Sequence, residues 1–267
     1  MKSLIPLSMG QYYPADSVVH VLDPRVKICL IISLAVVIFA IQNLLGFLIL
    51  FLFLAFVVFL GQLPWGWILR TLKPLRLIII FTFAMHLLFT SGTILMKLGP
   101  LRITQEGLQM GVFICIRLIL LLLGTSLLTL TTTPIELTDG LEYLLSPFRR
   151  LKIPAHELAM MMTIALRFIP TLVMETDKIM KAQMARGADF ESGNILRRAR
   201  SFLPLLIPLF VSAFRRADEL ALGMESRCYR GGEGRTRLKA LEMSGKDWLA
   251  GMVALLLLIV SVTIGRL

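Results

Sequence analysis

The chain has 267 residues, 57% of them hydrophobic, with a net charge of +11 and a mean hydropathy of +0.80. That hydropathy, concentrated in blocks, excludes an ordinary soluble domain and points to a polytopic membrane protein. The positive charge does not imply nucleic acid: eighteen of the 28 basic side chains fall between Thr133 and Asp247 beside fourteen acidic ones, a local balance of only +4.

In chain order, Met1 to Pro24 is polar and contains proline but no central apolar run, so no cleavable signal peptide is expected. Five apolar blocks are candidate spans: Ile28 to Ile41, Leu44 to Leu60, Leu75 to Thr90, Gly107 to Leu130 and Trp248 to Ile264. The first is the shortest, and Arg25 and Lys27 can reach the interface to extend it. Pro64, Gly66 and Pro74 punctuate one connection, and Gly92, Gly99 and Pro100 another. Lys2, Arg25 and Lys27 precede the first span, and Arg70, Lys73 and Arg76 lie between the second and third. The positive-inside tendency then places the N-terminus and the large polar segment in the cytoplasm, and five spans leave the C-terminus outside. Cys29, Cys115 and Cys228 are isolated, so neither a disulfide framework nor a zinc site is expected.

After the fourth span, Thr133 is an N-cap candidate with Pro134 at the first helical position, opening a helix to about Leu145. Pro147 and Pro154 then bracket the basic run Arg149-Arg150-Leu151-Lys152. From Ala155 to Arg186, apolar side chains recur at three-to-four spacing, with Pro170 as a kink and Gly187 as the stop. A second amphipathic stretch covers about Ile195 to Arg227, with Pro204 and Pro208 as kinks and Gly231, Gly232 and Gly234 closing it. Neither stretch reads as apolar enough to span as a whole, since Arg186, Arg197, Arg198, Arg200, Arg215, Arg216, Asp218 and Glu219 are each expensive at mid-bilayer. The fold expected is all-α: a membrane region over 1–133 with four spans, a cytoplasmic module of amphipathic helices over 134–246, and a C-terminal span over 247–267.

Each long stretch ends on a related triplet, Ala185-Arg186-Gly187 and Ser226-Arg227-Cys228. An arginine flanked by small residues at a helix end leaves its guanidinium unshielded, a fork of fixed donors suited to a carboxylate-lined socket on another protein. It is also a good partner for the helix dipole, so either triplet alone is weak evidence for docking.

Gln11 to Ser17, followed by His20-Val21-Leu22-Asp23-Pro24-Arg25-Val26-Lys27, resembles the N-terminal signature of the transmembrane T component (EcfT/CbiQ-like) of energy-coupling factor importers. Leu127 to Pro134, Leu144 to Arg150 and Ala165 to Pro170 are similar to that family as well, so the resemblance runs almost end to end. It implies that the two long helices are coupling helices whose Ala-Arg-Gly-type ends dock on two ATP-binding-cassette ATPase subunits. The role carries over intact to Ala185, Arg186 and Gly187; Ser226, Arg227 and Cys228 depart at both flanks but keep the arginine between small residues. The resemblance further implies a separate S component that binds a vitamin or metal ion, no cofactor on this chain, ATP-Mg bound by the partner subunits, and a bacterial or archaeal cell membrane.

The residues agree that the chain is not itself an ATPase, for no Gly-x-x-x-x-Gly-Lys-Ser/Thr loop is present. A self-contained carrier would need ionisable groups converging at mid-bilayer, where only His86 and Arg117 are candidates. Arg117 is expected to pair inside the bundle and His86 to pack there. A membrane-embedded hydrolase would need a paired acid and base within a span, and none is apparent. His156-Glu157 is not a zinc motif, because Met160 stands where a second histidine is needed. Arg167 and the Arg215-Arg216 pair read as solvated or ion-paired helix faces, and Asp23-Pro24-Arg25 as a structural turn.

Overall fold

The computed structural model describes residues 12–98, 101–147, 154–190, 194, 201–231 and 241–266. Gln11, Gly99, Pro100, Arg149, Arg150, Lys152, Ile195, Arg197, Arg198, Arg200, Gly232 and Gly234, named above, lie outside them. The chain forms two compact units, one of residues 9–141 with 240–267 and one of residues 142–239.

The larger unit holds α1 (Val18–Val21), α2 (Pro24–Ala40), α3 (Leu44–Leu60), α4 (Trp65–Leu72), α5 (Arg76–Phe89), α6 (Gln105–Thr131), most of α7 (Pro134–Leu145) and the C-terminal Gly245–Arg266 helix. Its starts follow the capping chemistry. Asp23 accepts from the Arg25 N–H at 2.8 Å, with Pro24 at the first helical position of α2. At α7, Thr133 N–H donates to Glu136 while the Glu136 N–H donates back to the Thr133 hydroxyl, a reciprocal capping box. Between α5 and α6 the chain forms an antiparallel ribbon, β1 (Ile94–Leu98) on β2 (Leu101–Thr104), a small exception to the all-helical expectation.

The bundle closes on one apolar core. Leu34 and Ile38 of α2, Leu50 and Leu54 of α3, and Leu120 and Leu127 of α6 are all buried in it. Phe39, Phe51, Phe56 and Phe59 face outward, as lipid-facing positions of such helices must. The C-terminal helix comes closest to α3 at a glycine pair: Gly46 and Gly265 meet beside Ile41, and Gln42 N–H donates to the Gly265 carbonyl at 3.1 Å.

The smaller unit is built on α8 (Ala155–Ala185) and α9 (Leu203–Glu225); the C-terminal helix Gly245–Arg266 is therefore α10. One expectation changes here. Pro204 stands in the first turn of α9, where no intrahelical donor is needed, so it opens that helix instead of kinking it; Pro208 does lie inside. Among the described residues, four helical segments can cross a membrane by length and composition: Gly66–Phe89, α6, α8 and α10, with α3 apolar but shorter. By that measure α8 qualifies, although the sequence reads as too polar there to span as a whole. Its charged side chains crowd into the C-terminal third, as Glu175, Asp177, Lys178 and Lys181, while its first eighteen residues carry only Glu157 and Arg167.

The Gly46 contact yields a prediction. A Cβ on Gly46 would stand 2.8 Å from the Ile41 side chain and 2.9 Å from the Gly265 backbone, whereas one on Gly66 meets nothing within 4 Å. Gly46→Ala should therefore cost about 1–3 kcal/mol by overpacking, and Gly66→Ala should be neutral or slightly stabilising. Thermal unfolding in detergent checks both.

Candidate functional site

The two arginine triplets belong to the smaller unit, and their backbones are alike. At the end of α8, Gly187 N–H donates to the Met184 carbonyl at 2.9 Å and Ala188 N–H to the Gln183 carbonyl at 3.0 Å, with Gly187 at φ +89°. Beyond α9, Cys228 N–H donates to the Glu225 carbonyl at 2.9 Å and Tyr229 N–H to the Met224 carbonyl at 3.0 Å, with Cys228 at φ +57°. Both are Schellman turns, in which a left-handed residue lets two N–H groups reach back to the last free carbonyls. Arg186 and Arg227 occupy the same position, the residue before the left-handed one, and both are exposed. The sequence ends this stretch at about Arg227, close to the observed end, but assigns the closing turn to Gly231, Gly232 and Gly234; the chain turns at Cys228.

The two helices run antiparallel. Near one end, Gln183 Nε2 of α8 donates to the Pro204 carbonyl of α9 at 3.5 Å. In the middle, the Glu175 carboxylate accepts from the buried Ser212 hydroxyl and from Arg216 Nη2, each at 2.6 Å. At the other end, Arg167 and Phe168 of α8 line a hollow with Leu220 and Met224 of α9 and with Arg227. Arg186 and Arg227 thus stand at opposite ends of the pair, about 35 Å apart along the 23-residue α9. Of the basic residues read as solvated or ion-paired faces, Arg216 is ion-paired, while Arg167 and Arg215 are exposed. His156 Nδ1 pairs with Glu142 at 2.9 Å, and no metal-binding cluster occurs among the described residues.

In the larger unit the N-terminal motif makes a buried polar joint. His20 Nε2 donates to the Tyr13 carbonyl, its Nδ1 meets the Ser17 hydroxyl at 2.7 Å, and Tyr13 N–H donates to the Leu130 carbonyl. Burial holds the His20 pKa below its ordinary value. Lys27 Nζ donates to the carbonyls of His20 and Thr131, Arg25 Nη2 to that of Leu241, and Asp23 N–H to the Asp247 carboxylate at 2.9 Å. Asp247 also accepts from the Ser244 N–H and hydroxyl. Asp23, Arg25, Lys27 and Asp247 are each about 95% buried, an arrangement tolerated only because the groups are bonded. Asp23-Pro24-Arg25 is thus structural, but as the capped start of α2 and not as a turn, while the partners Thr131 and Asp247 carried no signal in the sequence beyond their polarity beside apolar runs.

Arg117, half-buried, pairs inside the bundle as expected. It donates from Nε to the Ile38 carbonyl at 3.2 Å and from Nη2 to the Ile41 carbonyl at 3.0 Å, and it lies over the rings of Phe39 and Phe47. These are carbonyls at the C-terminus of α2, where a cation suits the dipole. His86 is half-buried, its backbone carbonyl taking the Thr90 N–H.

The left-handed turn at residue 228 generates a prediction. A Cβ there is strained, so Cys228→Gly should raise stability by about 0.5–1 kcal/mol and Cys228→Val should lower it by more. Unfolding temperatures of the two variants, rising and falling respectively, test the turn.

Known proteins are similar in sequence to nearly the whole chain. Residues 15–238 match the CbiQ family, described as cobalt transport protein. An energy-coupling factor transporter transmembrane protein EcfT of Thermosediminibacter oceani is 56% identical over 260 residues, covering 97% of this chain and 98% of that protein. Proteins with the same name from Acidaminococcus fermentans and Bacillus subtilis are 54% and 52% identical, covering 96% and 90% of this chain, and 96% and 91% of their own lengths. With its helical bundle, its pair of long amphipathic helices and similarity of this extent, the chain belongs to the CbiQ/EcfT family, the transmembrane components of energy-coupling factor transporters.

Proposed function

We propose that this chain is the energy-coupling subunit of an importer, joining two ATPase subunits to a separate substrate-binding S component for vitamin or metal-ion uptake. The observation that carries the proposal is the repeated helix end. Two exposed arginines, each preceding a left-handed turn, stand at opposite ends of one antiparallel pair of helices, a spacing suited to two partners side by side. In this reading Ala185-Arg186-Gly187 and Ser226-Arg227-Cys228 dock the two ATPases, which bind ATP-Mg and hydrolyse it. Their approach and separation moves both ends of the α8–α9 pair, and the apolar faces of these helices pass the motion to the S component. The chain holds neither nucleotide nor substrate, and its N-terminus and coupling helices face the cytoplasm, with the C-terminus outside.

Truncating either arginine tests the docking. Arg186→Ala or Arg227→Ala should weaken ATPase binding by about 2–5 kcal/mol, as for a desolvated charge-assisted contact, and the double variant should lose the complex. Copurification of the ATPases reads this directly, and full assembly of the double variant removes the assignment. Arg186→Lys, which keeps the charge without the planar fork, should assemble only partly.

Pro208 lies inside α9 and interrupts its hydrogen bonding. Pro208→Ala should straighten the helix without touching Arg227, leaving ATP hydrolysis while import falls. Liposomes holding the assembled complex, assayed for turnover and uptake together, separate the two; equal loss of both means that the bend transmits nothing.

A further inference from the structure

The two ends of the α8–α9 pair differ in a way that the repeated turns do not suggest. After the α8 turn the chain folds back so that Phe190, buried, packs on Phe202 with ring centres 5.6 Å apart. That end carries an aromatic lid. The other end is a hollow of about 790 Å³, with Arg167, Arg227 and Arg230 on its walls and Phe168, Leu220 and Met224 among its apolar lining. Among the described residues no Asp or Glu lines it, and none of the three arginines has an acidic partner. Elsewhere in this unit the cations near the helix interface are matched, Arg216 by Glu175 and Lys181 by Asp177.

Three guanidinium groups around one concavity repel one another and favour the arrival of negative charge. Each also offers a planar fork that fits a carboxylate with two parallel hydrogen bonds. A volume of this size is that of a ligand pocket and admits several side chains. Because Arg227 is one of its walls, the hollow is continuous with the second docking end.

We infer that the hollow is a receptor for an acidic segment of the ATPase subunit that docks at Arg227, with Arg167 and Arg230 gripping its carboxylates and an apolar neighbour seated against Phe168 and Met224. This rests on the docking role proposed above for Arg227, and it assigns work to Arg167, which otherwise reads as a solvated face. Its consequence is asymmetry: the ATPase at this end inserts into the coupling pair, while the one at Arg186 receives an arginine that projects from it.

The test uses the complete complex. The chain is co-expressed with both ATPases, captured in detergent, and the binding of each ATPase is measured for Arg167→Ala, Arg230→Ala, Arg167→Lys and Arg227→Ala, with Arg186→Ala reporting on the opposite end. Arg167→Ala and Arg230→Ala should each weaken one ATPase on the order of tenfold, and Arg167→Lys should recover part of that loss. Unfolding temperatures of the variants identify any that misfold, for which the lysine variant is the measurement. A second readout needs no change in the hollow's arginines. In a Cys29→Ser, Cys115→Ser background, Cys228, exposed on the same wall, should react with a maleimide in the free chain and be protected once the ATPases assemble.

Normal binding in Arg167→Ala and Arg230→Ala, with loss in Arg227→Ala, overturns the receptor and leaves the docking reading standing. Normal binding in Arg227→Ala overturns both. If native mass spectrometry instead finds an anionic phospholipid that leaves on Arg167→Ala while ATPase binding is unchanged, the hollow is a lipid site and the inference fails. Equal reactivity of Cys228 in the free chain and the complex also overturns it.

Discussion

Glu175 holds the two long helices of the smaller unit in register. Its carboxylate takes the Ser212 hydroxyl on one oxygen and the Arg216 guanidinium on the other, both at 2.6 Å, and so fixes the C-terminal third of α8 against the middle of α9. An ion pair exposed to water contributes little on its own. Here it is coupled to the hydroxyl of a buried serine and sits between facing apolar stripes, so it selects one sliding position among several of similar hydrophobic burial. Everything proposed for Arg186 and Arg227 depends on that register. A slip of one turn, about 5 Å, would move one arginine outward and the other inward.

The same logic of a polar contact choosing among apolar packings governs the larger unit. Leucine and phenylalanine dominate α3 on every side, so hydrophobicity alone does not say which face it buries. The glycine contact at Gly46 and Gly265 decides it, since it requires a particular approach of backbones. The joint of Asp23, Arg25, Lys27 and Asp247 then ties the start of α2 to the start of α10, elements separated by more than two hundred residues. In a membrane setting such joints count for more than extra apolar area, because lipid tails satisfy apolar surface as well as another helix does.

The two units differ in what they leave unfilled. In the bundle, Asp23, Arg25, Lys27 and Asp247 are buried and bonded inward, as expected of a frame. In the smaller unit the arginines at the helix ends are exposed, and one end keeps a basic hollow. The role proposed for this chain, passing motion between partners, needs both a part that resists deformation and a part whose contacts are completed by others.

The sequence by itself determined the helices and their ends. Period and hydropathy placed α2, α3, α5, α6, α8 and α10 within a few residues, and Thr133 with Pro134 placed the start of α7, because capping and apolar repeats are local properties of neighbouring residues. It also singled out the two triplets, since a repeat is visible without a fold. It misjudged Pro204, because whether a proline kinks a helix or opens it depends on where the preceding turn begins. It misjudged the second closing turn, because a left-handed cysteine carries no local signature as glycine does. It read α8 as too polar to span as a whole by averaging its apolar half with a polar end. Only the tertiary structure decided that Arg117 serves the α2 carbonyls, that Asp247 meets Asp23, that the arginine ends stand at opposite poles of one helix pair, and that Arg167 shares a hollow with Arg227. Each of these is a contact between residues distant in the chain, fixed by packing and register, and neither is written in any one stretch of sequence.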